Sequence, residues 1–434
     1  MRRVLIVSPH FPPVNAPDHQ RVRMSLPYFR ECGWEPTVLA VDAARVDGAK
    51  DPLLAAALPS DVPVHRVGTL PARLTRLAGF GNIAYRAWFQ LRSTGERLLR
   101  EGKFDLVYFS TTQFVATALG SKWQAKFGVP FVVDLQDPWR TDYYDRPGAP
   151  PPPGGWKFRF ARWQANRLEE ASWRGAAGFI SVSETYLEQL RARYPWFAAK
   201  PSAMIPFGAS EADFALARGH SELRPAFERV PGAIHLVNVG AVGSIMRGSI
   251  ERLCAGIRAF RVRDPNGAAR LRFHFIGTSY VSGDRAEPSV APIAAAFGVS
   301  DLVREQVERV GYFTAIKTML EADALIIPGS DDAGYNPSKI APCFLAEKSA
   351  LALGPAGSAL ARYVTELGFA TLARSDVPEG EAAVADFLAG LLAHPVRSLP
   401  ATRATSLFAA AHTARARTRQ QCEFFNRALA ATAT

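Results

Sequence analysis

The sequence predicts an α/β protein built from two Rossmann-like, doubly wound domains that face a central cleft. Its 434 residues are too many for one ordinary hydrophobic core. Short, continuous apolar segments alternate with helical segments, which is the pattern of parallel sheets covered by helices on both faces. Ligands of such sheets bind beyond the carboxyl ends of the strands, so the functional site is expected between the two domains.

The first domain is predicted at residues 1–208. Residues 4–7 are typical of a strand buried on both faces. Asp18 is predicted to cap a helix that ends at Gly33, since aspartate favours helix starts and glycine favours the position after a helix. Further strands are predicted at 37–41, 105–109, 130–135 and 178–182, with helices at 116–127 and 156–174.

The second domain is predicted at residues 209–414, where the same alternation begins again after a short strand at 203–208. Its strands are predicted at 235–240, 271–277, 307–312, 324–327 and 350–353. Residues 403–429 are predicted to be helical, and the apolar face near their end needs a partner.

The amino-acid composition limits the classes of protein to which the chain can belong. Apolar residues make up 48% of the chain and charged residues 21%, as in soluble globular proteins. The four cysteines are scattered, which favours a reducing compartment and argues against a structural metal. No segment approaches the ~20 apolar residues of a membrane span, and the N-terminal residues do not resemble a signal peptide. We therefore expect a cytoplasmic protein.

The net charge of +11 favours anionic partners. Nucleotide diphosphates and phospholipid surfaces are candidates, whereas nucleic acid is not supported by any recognition motif. Two basic stretches rich in aromatic residues, at 73–103 and 156–174, suit an anionic membrane surface. The alternative is a solvated face backed by core-facing aromatic residues, and this alternative is favoured for the second stretch.

The strongest local signal is the run Gly-Tyr-Asn-Pro-Ser-Lys-Ile at 334–340. Ser338 is predicted to begin a helix whose free N–H groups suit a phosphate. Lys339 in the first helical turn opposes the helix dipole, and this unfavourable placement suggests that it neutralises an anion. An ordinary helix start with a solvated lysine is the alternative.

A glycine loop follows the predicted strand at 235–240. Gly240 and Gly243 allow backbone amides to approach a ligand closely, and Arg247 suits bidentate binding of a diphosphate. The spacing matches neither the GxGxxG pattern nor a P-loop, so this signal is unspecific.

Polar residues also follow the strands of the first domain. Asp134 and Asp137 come at the end of the strand at 130–135, where a carboxylate suits sugar hydroxyls. The alternative is a structural role, in which the carboxylate caps the loop or pairs with Arg140. The loop after the first strand holds further candidates, in which the arginines are predicted to meet an anionic ligand: His10, Asp18, His19, Arg21 and Arg23.

These motifs give the chain a resemblance to the GT4-type retaining glycosyltransferases, which have the GT-B fold. The run Tyr-Asn-Pro-Ser-Lys at 335–339 resembles the family's nucleotide-sugar loop. The runs Phe-Pro-Pro at 11–13, Asp-Leu-Gln-Asp-Pro-Trp at 134–139 and Ile-Pro-Phe-Gly at 205–208 resemble three other family phrases. They occur in the family's order across nearly the whole chain.

The resemblance implies a hexosyltransferase-type enzyme that moves a sugar from a nucleotide-diphosphate sugar to an acceptor hydroxyl. It implies retention of anomeric configuration, no metal or other cofactor, and a role in cell-surface polysaccharide or glycoconjugate synthesis. The acceptor is a glycan, a lipid-linked saccharide or another hydroxyl compound, and peripheral attachment to the cytoplasmic membrane is a further expectation. The C-terminal helix, at about 415–434, is expected to cross back onto the first domain.

Residue patterns and resemblance together give a candidate site. Asp137 and Gln136 are the catalytic candidates. The donor-binding candidates are Gly243, Arg247, Tyr335, Asn336, Ser338 and Lys339. The acceptor-binding candidates are His10, Asp18, His19, Arg21 and Ser183.

Two departures from the family pattern leave alternatives open. Pro342 stands where the family usually has a ribose-binding glutamate, and Gln136 where it often has a histidine. A homologue that binds a nucleotide sugar or glycan without catalysis is one alternative. A sugar-nucleotide epimerase of the same fold is the other.

Overall fold

A computed structural model of the chain describes residues 1–72, 75, 81–141, 143–145, 155–279, 287–330, 339–394 and 403–432. The chain divides into two compact units. The first comprises Met1–Phe207 together with Ala414–Thr434, and the second comprises Gly208–Thr413. Each unit contains one parallel sheet with helices, which confirms the predicted α/β class.

The sheet of the first unit has seven strands in the order β3-β2-β1-β4-β5-β6-β7. Their bounds are β1 Arg2–Val7, β2 Trp34–Val41, β3 Val64–Val67, β4 Leu106–Ser110, β5 Phe131–Leu135, β6 Gly178–Ser181 and β7 Ser202–Met204. The strand order reverses between β1 and β4, and a doubly wound sheet binds its ligand at such a point.

Helices connect these strands. The α-helices of the first unit are Gln20–Ser25, Pro52–Ala56, Ile83–Arg86, Trp88–Glu101, Ala118–Phe127, Trp156–Trp173, Glu184–Arg193 and Ala414–Ala430. Short 3₁₀ helices lie at Pro17–His19, Leu26–Tyr28, Arg30–Cys32, Ala43–Arg45, Phe114–Thr117, Tyr143–Asp145 and Pro195–Ala199.

The helix predicted between Asp18 and Gly33 is broken into short pieces. Only Gln20–Ser25 is α-helical, because Pro27 lacks the N–H group that would continue the hydrogen-bond ladder. The prediction that Asp18 caps this helix is wrong, since its buried carboxylate is bonded to other side chains. Gly33 ends the segment with a left-handed backbone (φ 81°), as predicted.

The helix Ala414–Ala430 completes the core on one face of the first sheet. Phe425 is fully buried and stacks on Phe29, with ring centroids 6.3 Å apart. Its ring edge also meets Trp34 and Tyr108, at centroid distances of 5.4 and 4.9 Å. The apolar face predicted near the end of the chain is therefore buried within the first unit.

The sheet of the second unit has six strands in the order β10-β9-β8-β11-β12-β13. Their bounds are β8 Ile234–Val239, β9 Leu271–Ile276, β10 Val303–Gln306, β11 Ala324–Pro328, β12 Ser349–Gly354 and β13 Ala370–Arg374. The helices are Glu211–Gly219, Arg247–Arg263, Pro265–Ala269, Ala291–Ala296, Tyr312–Glu321, Ile340–Leu345, Ala359–Leu367, Gly380–Ala393 and Arg403–Ala411, with a 3₁₀ turn at Ser244–Met246.

The strand predicted at 307–312 is wrong. The strand lies earlier, at β10, and Tyr312 begins a helix. As β10 is at the edge of the sheet, only Val303 among its residues is buried, and the strand lacks the apolar run that marks central strands. Of the helices that the structure describes, none has the length and apolar character needed to cross a membrane.

Replacement of Phe425 by Ala is expected to destabilise the first unit by about 3–5 kcal/mol, because a fully buried ring leaves a cavity. Urea unfolding followed by tryptophan fluorescence would measure the loss, since Trp34 contacts this ring. Glu423→Ala on the same helix is the matched control, because Glu423 is exposed. Equal unfolding midpoints for the two variants would contradict the assigned core.

Candidate functional site

A buried ion pair lies at the carboxyl end of β5. Arg21 and Asp134 are 3% and 0% exposed, and Arg21 Nε lies 2.8 Å from Asp134 Oδ2. The same oxygen accepts hydrogen bonds from Ser110 Oγ (2.8 Å) and Gln136 Nε2 (3.0 Å). Arg21 Nη2 donates to the carbonyl oxygen of Ile205 at 2.7 Å. These contacts offset the cost of removing both charges from water.

The arginines of the first loop, which were predicted to meet an anionic ligand, are buried and bonded within the fold. The guanidinium of Arg21 is bound to Asp134 and lies 4.9 Å from the centre of the Phe207 ring. Arg23 is 2% exposed, and its Nε donates to Gln20 Oε1 at 2.9 Å. Both positive charges are inside the fold.

His10 and Asp18 form a carboxylate–imidazole pair beside this network. His10 Nδ1 lies 3.0 and 3.1 Å from the two carboxylate oxygens of Asp18. Thr111 and Thr112 each donate a hydroxyl hydrogen bond to Asp18 Oδ2, at 3.1 and 3.3 Å. Burial acts to raise the pKa of Asp18, but the hydrogen bond and charge of His10 outweigh it, so the pKa is lowered.

An ionised Asp18 can only accept hydrogen bonds, so it holds a proton on His10 Nδ1. In neutral His10 the other ring nitrogen, Nε2, is then a hydrogen-bond acceptor. The His10 side chain is 19% exposed, whereas Asp18 is 2% exposed. The structure thus presents one oriented imidazole, backed by a buried carboxylate.

His19 and Ser183, two other acceptor-binding candidates, are buried. His19 is 0% exposed and its Nε2 lies 2.6 Å from the carbonyl oxygen of Val14. Burial lowers the pKa of His19 to about 4, so the ring is neutral and donates this bond. Ser183 is 6% exposed and precedes the helix Glu184–Arg193. In the structure, His19 holds the backbone at Val14 from inside the fold.

The two catalytic candidates differ in their surroundings. Gln136 is 6% exposed, and its Nε2 is 3.0 Å from the carbonyl oxygen of Asp18 and 3.0 Å from Ser110 Oγ. It therefore supports the positions of these residues from inside. Asp137 is exposed, but loss of solvation by nearby protein raises the pKa of its carboxyl to about 6, and the charge of Asp18 adds to this.

A further buried carboxylate, which the sequence did not indicate, lies near Asp137. Glu169 is 1% exposed and accepts hydrogen bonds from Arg193 Nη1 (2.9 Å), Tyr194 Oη (2.9 Å) and the backbone N–H of Arg140 (3.1 Å). Arg140 and Asp137 both line the small hollow there, whose volume of about 10 Å³ suits one water molecule. Glu169 lies in the helix Trp156–Trp173, in which only the basic and aromatic residues had suggested a function.

In the second unit, Lys339 packs against the glycine loop that follows β8. Lys339 Nζ donates to the carbonyl oxygen of Ala241 at 3.0 Å. A Cβ atom on Gly240 would lie 2.6 Å from Lys339 Cε and 2.7 Å from Nζ. Gly240 also has a φ of 112°, which other residues rarely adopt. Only glycine at position 240 leaves room for this lysine.

The positive charge of Lys339 has no carboxylate partner among the described residues. Burial lowers the pKa of its amine to about 8; Cys343 acts to raise it, and the positive charge of Arg309 lowers it further. The positive charge of Arg309, three residues after β10, therefore acts on Lys339. A bound anion would offset this repulsion.

Arg309 is a candidate that the sequence analysis missed. It lies three residues after β10, and its Cα would be 3.4 Å from a Cβ atom on Gly277. Its position after a strand is a signal for the site, because ligands of such sheets bind beyond the carboxyl ends of the strands. The wrong strand at 307–312 placed Arg309 inside a strand and so excluded it.

Of the remaining donor-binding candidates, the structure describes Arg247 and Gly243. The Arg247 side chain is 69% exposed, and its Nε donates to Glu251 Oε1 at 2.7 Å. Gly243 is exposed, with open space around its Cα. No contact in the described part of the chain joins Arg247 to Lys339. Tyr335, Asn336 and Ser338 lie outside the described residues.

Pro342 and Glu347 are the two residues that concern the missing ribose-binding glutamate. Pro342 lies in the short helix Ile340–Leu345, where the first turn tolerates proline. Glu347, the next acidic residue, lies 3.7 Å from Arg218 and has a positive φ of 57°.

A family model for the glycosyl transferase 4-like domain matches residues 19–208. This match confirms the resemblance to GT4-type glycosyltransferases for that part of the chain, which therefore carries a glycosyl transferase 4-like domain. No curated protein matches the sequence.

Solved structures of glycosyltransferases are similar to the whole chain at low sequence identity. HepE of Anabaena, crystallised with UDP, is 14% identical (TM-score 0.55; 98% of this chain, 100% of that one). A glycosyltransferase of Rickettsia africae is 12% identical (0.59; 99% and 98%). The α,α-trehalose 6-phosphate synthase of Burkholderia multivorans is also 12% identical (0.58; 100% and 98%). These similarities confirm the predicted GT-B fold.

Replacement of Asp137 by Asn is expected to raise the melting temperature at about pH 7.5. The folded-state pKa of about 6 exceeds the ordinary value of 3.8, so the folded protein binds this proton more tightly than the unfolded chain. The ionised carboxylate therefore lowers stability above pH 6, and the difference between variant and parent shrinks as the pH falls toward 4.

Thermal unfolding across this pH range would check the expectation. Asp376→Asn is a control with the opposite expected effect. The hydrogen bond from Arg374 lowers the pKa of Asp376, so the replacement should lower stability at neutral pH. A melting temperature for Asp137→Asn that does not depend on pH relative to the parent would refute the raised pKa.

Proposed function

We propose that this chain is a glycosyltransferase that moves a sugar from a nucleotide-diphosphate sugar to an acceptor hydroxyl, with retention of anomeric configuration. The observation that carries the proposal is the amine of Lys339, held on the glycine loop with Arg309 nearby and no carboxylate partner in the described residues. The glycosyl transferase 4-like match over 19–208 and the GT-B fold support it.

The chemistry explains why such a cation is needed. The bond between the anomeric carbon and the diphosphate oxygen breaks, and the diphosphate leaves with the electron pair. The acceptor oxygen forms the new bond to the anomeric carbon, and its proton passes to the departing diphosphate. A fixed positive charge in a partly buried site stabilises this developing negative charge more than water does. Lys339 and Arg309 provide that charge, so we expect no metal requirement.

The first unit supplies the acceptor side of the reaction in this proposal. His10 Nε2 accepts a hydrogen bond from the acceptor hydroxyl, and Asp18 fixes the orientation of the ring through Nδ1. Asp137, exposed and close enough to Asp18 for its pKa to respond, contacts the transferred sugar. Gln136 and Asp134 hold these residues in place and touch neither substrate.

The solved structures suggest which donor to test first. HepE was crystallised with UDP, and a trehalose-phosphate synthase of Burkholderia xenovorans is described as UDP-forming. We therefore propose a UDP-sugar as donor and a hexose as the transferred sugar. The four free cysteines support a reducing compartment such as the cytoplasm.

Calorimetry with UDP-, GDP-, ADP- and dTDP-sugars, followed by a nucleotide-release assay with candidate acceptors, tests the proposal. Binding of one donor and release that depends on an acceptor are the expected results. Conversion of the donor without an acceptor would identify an epimerase. Binding without turnover across a broad acceptor set would identify a non-catalytic homologue, and the absence of any binding would reject the donor site.

Replacement of Lys339 by Met is expected to weaken binding of the preferred donor by about 10–100-fold, the value of a charge-assisted contact. In the parent, affinity should fall as the pH rises through about 8, where the free amine loses its proton. In the variant, affinity should be weak at every pH.

Lys317→Met is the matched control for this experiment. Lys317 is a partly buried lysine of the same unit, but it is paired with Glu321 at 3.0 Å. Its replacement should leave donor affinity and its pH dependence unchanged. If Lys339→Met binds donor as tightly as the parent, the diphosphate does not contact Lys339.

A further inference from the structure

A small hollow, here called the polar hollow, extends inward from Asp137 in the first unit. It lies between the segment after β5 and the helices Trp156–Trp173 and Glu184–Arg193. Asp137 is exposed and Glu169 is 1% exposed, so the polar hollow leads from solvent toward the interior of the unit. Its lining includes the polar and aromatic residues Asp137, Trp139, Arg140, Glu169, Gln189 and Arg193.

Several polar groups of this lining lack hydrogen-bond partners within the described part of the chain. The buried Nε of Arg140 has none. The same holds for the side-chain amide of Gln189 and for the carboxyl of Asp137. Polar groups that are shielded from bulk water lose free energy unless a water molecule or a ligand bonds to them. The volume of the polar hollow, about 10 Å³, suits one oxygen atom of either kind.

The charges that line the polar hollow balance one another. Glu169 accepts a hydrogen bond from Arg193 Nη1 at 2.9 Å and one from the backbone N–H of Arg140 at 3.1 Å. Arg140 and Arg193 provide positive charge, and Glu169 and Asp137 provide negative charge. Because neither sign is in excess, this lining favours an uncharged polar group over an anion or a cation.

The hydrogen-bonding capacity of the lining matches an alcohol. Arg140 Nε can only donate, an ionised Asp137 can only accept, and the amide of Gln189 does both. A hydroxyl group donates one hydrogen bond and accepts others, so it satisfies all three side chains in turn. A carboxylate or an ammonium group would leave groups of its own kind unpaired.

An aromatic wall stands beside these groups. The ring of Trp139 is partly exposed, stacks on Phe114 with centroids 5.7 Å apart, and contacts Trp173 at a centroid distance of 5.4 Å. These contacts fix the indole in place. A sugar combines an apolar C–H face with hydroxyl groups at its edge, so a rigid aromatic ring next to hydroxyl-binding groups suits a sugar.

We propose that the polar hollow holds one hydroxyl group of an uncharged sugar, with Gln189 and Arg140 as specificity-determining residues. We assign this sugar to the acceptor, because every lining residue belongs to the first unit. The assignment rests on the proposed transfer reaction and narrows its acceptor to a saccharide, in which a second hydroxyl is fixed while the reacting one meets His10.

Saturation-transfer NMR of the full chain with the methyl glycosides of glucose, galactose and mannose tests this proposal without any donor. The parent should bind at least one of them, and Gln189→Leu should weaken its binding by about three- to tenfold, the value of one neutral hydrogen bond. Gln164→Leu is the matched control, since Gln164 is a partly buried glutamine of the same unit that does not line the polar hollow. It should bind the glycoside like the parent.

Monodeoxy analogues of the bound glycoside identify the hydroxyl group that enters the polar hollow. Its removal should weaken binding to the parent but not to Gln189→Leu, because the two changes delete the same contact. Removal of any other hydroxyl should affect both proteins equally.

Three results would overturn the proposal. They are the absence of glycoside binding by the parent, equal affinities of parent and Gln189→Leu, and loss of binding in Gln164→Leu. Equal affinities together with a lower melting temperature of Gln189→Leu would show that the polar hollow holds a structural water molecule only.

Calorimetry with UDP-glucose and UDP separates the acceptor from the transferred sugar. Gln189→Leu should bind both like the parent. If it weakens binding of UDP-glucose but not of UDP, the transferred sugar occupies the polar hollow and the acceptor assignment is wrong. Glycoside binding needs no turnover, so failure of the transfer reaction would be seen separately.

Discussion

The ion pair between Arg21 and Asp134 is the interaction on which the candidate site of the first unit depends. It joins the segment after β1 to the end of β5, and through Ile205 to the segment after β7. Removal of one partner would leave a buried, uncompensated charge, which typically costs about 3–5 kcal/mol. Gln136 is bonded both to Asp134 and to the backbone of Asp18, so the orientation of the imidazole of His10 rests on the same pair.

The two units use charge in opposite ways, and this difference supports the roles proposed for them. In the first unit, buried charges are neutralised internally: Arg21 by Asp134, and Arg193 by Glu169. In the second unit, the described surroundings of Lys339 contain another cation and no carboxylate. A neutral acceptor suits the first arrangement, and a diphosphate suits the second, because only the second leaves positive charge to be compensated by a ligand.

The sequence predicted the interior of both sheets better than their edges. Central strands are covered on both faces and have continuous apolar runs, so the sequence predicts them well. The strands that were missed or misplaced all lie at sheet edges: β3, β10 and β13. The site shows the same limit. Lys339 and the glycine loop were predicted because each follows a predicted strand. The burial of Arg21 and His19, by contrast, depends on partners remote in sequence, such as Asp134 for Arg21, which the local sequence does not reveal.

Folding alone does not explain two placements of charge in this chain. Asp137 has a raised pKa and Lys339 has a lowered one. Each lowers the stability of the folded state, whereas structural charges such as Arg21 are paired. Side chains that lower stability in this way are typical of functional sites. A ligand of opposite charge would offset the cost at Lys339, which links this residue to an anionic partner, the diphosphate of the proposed donor.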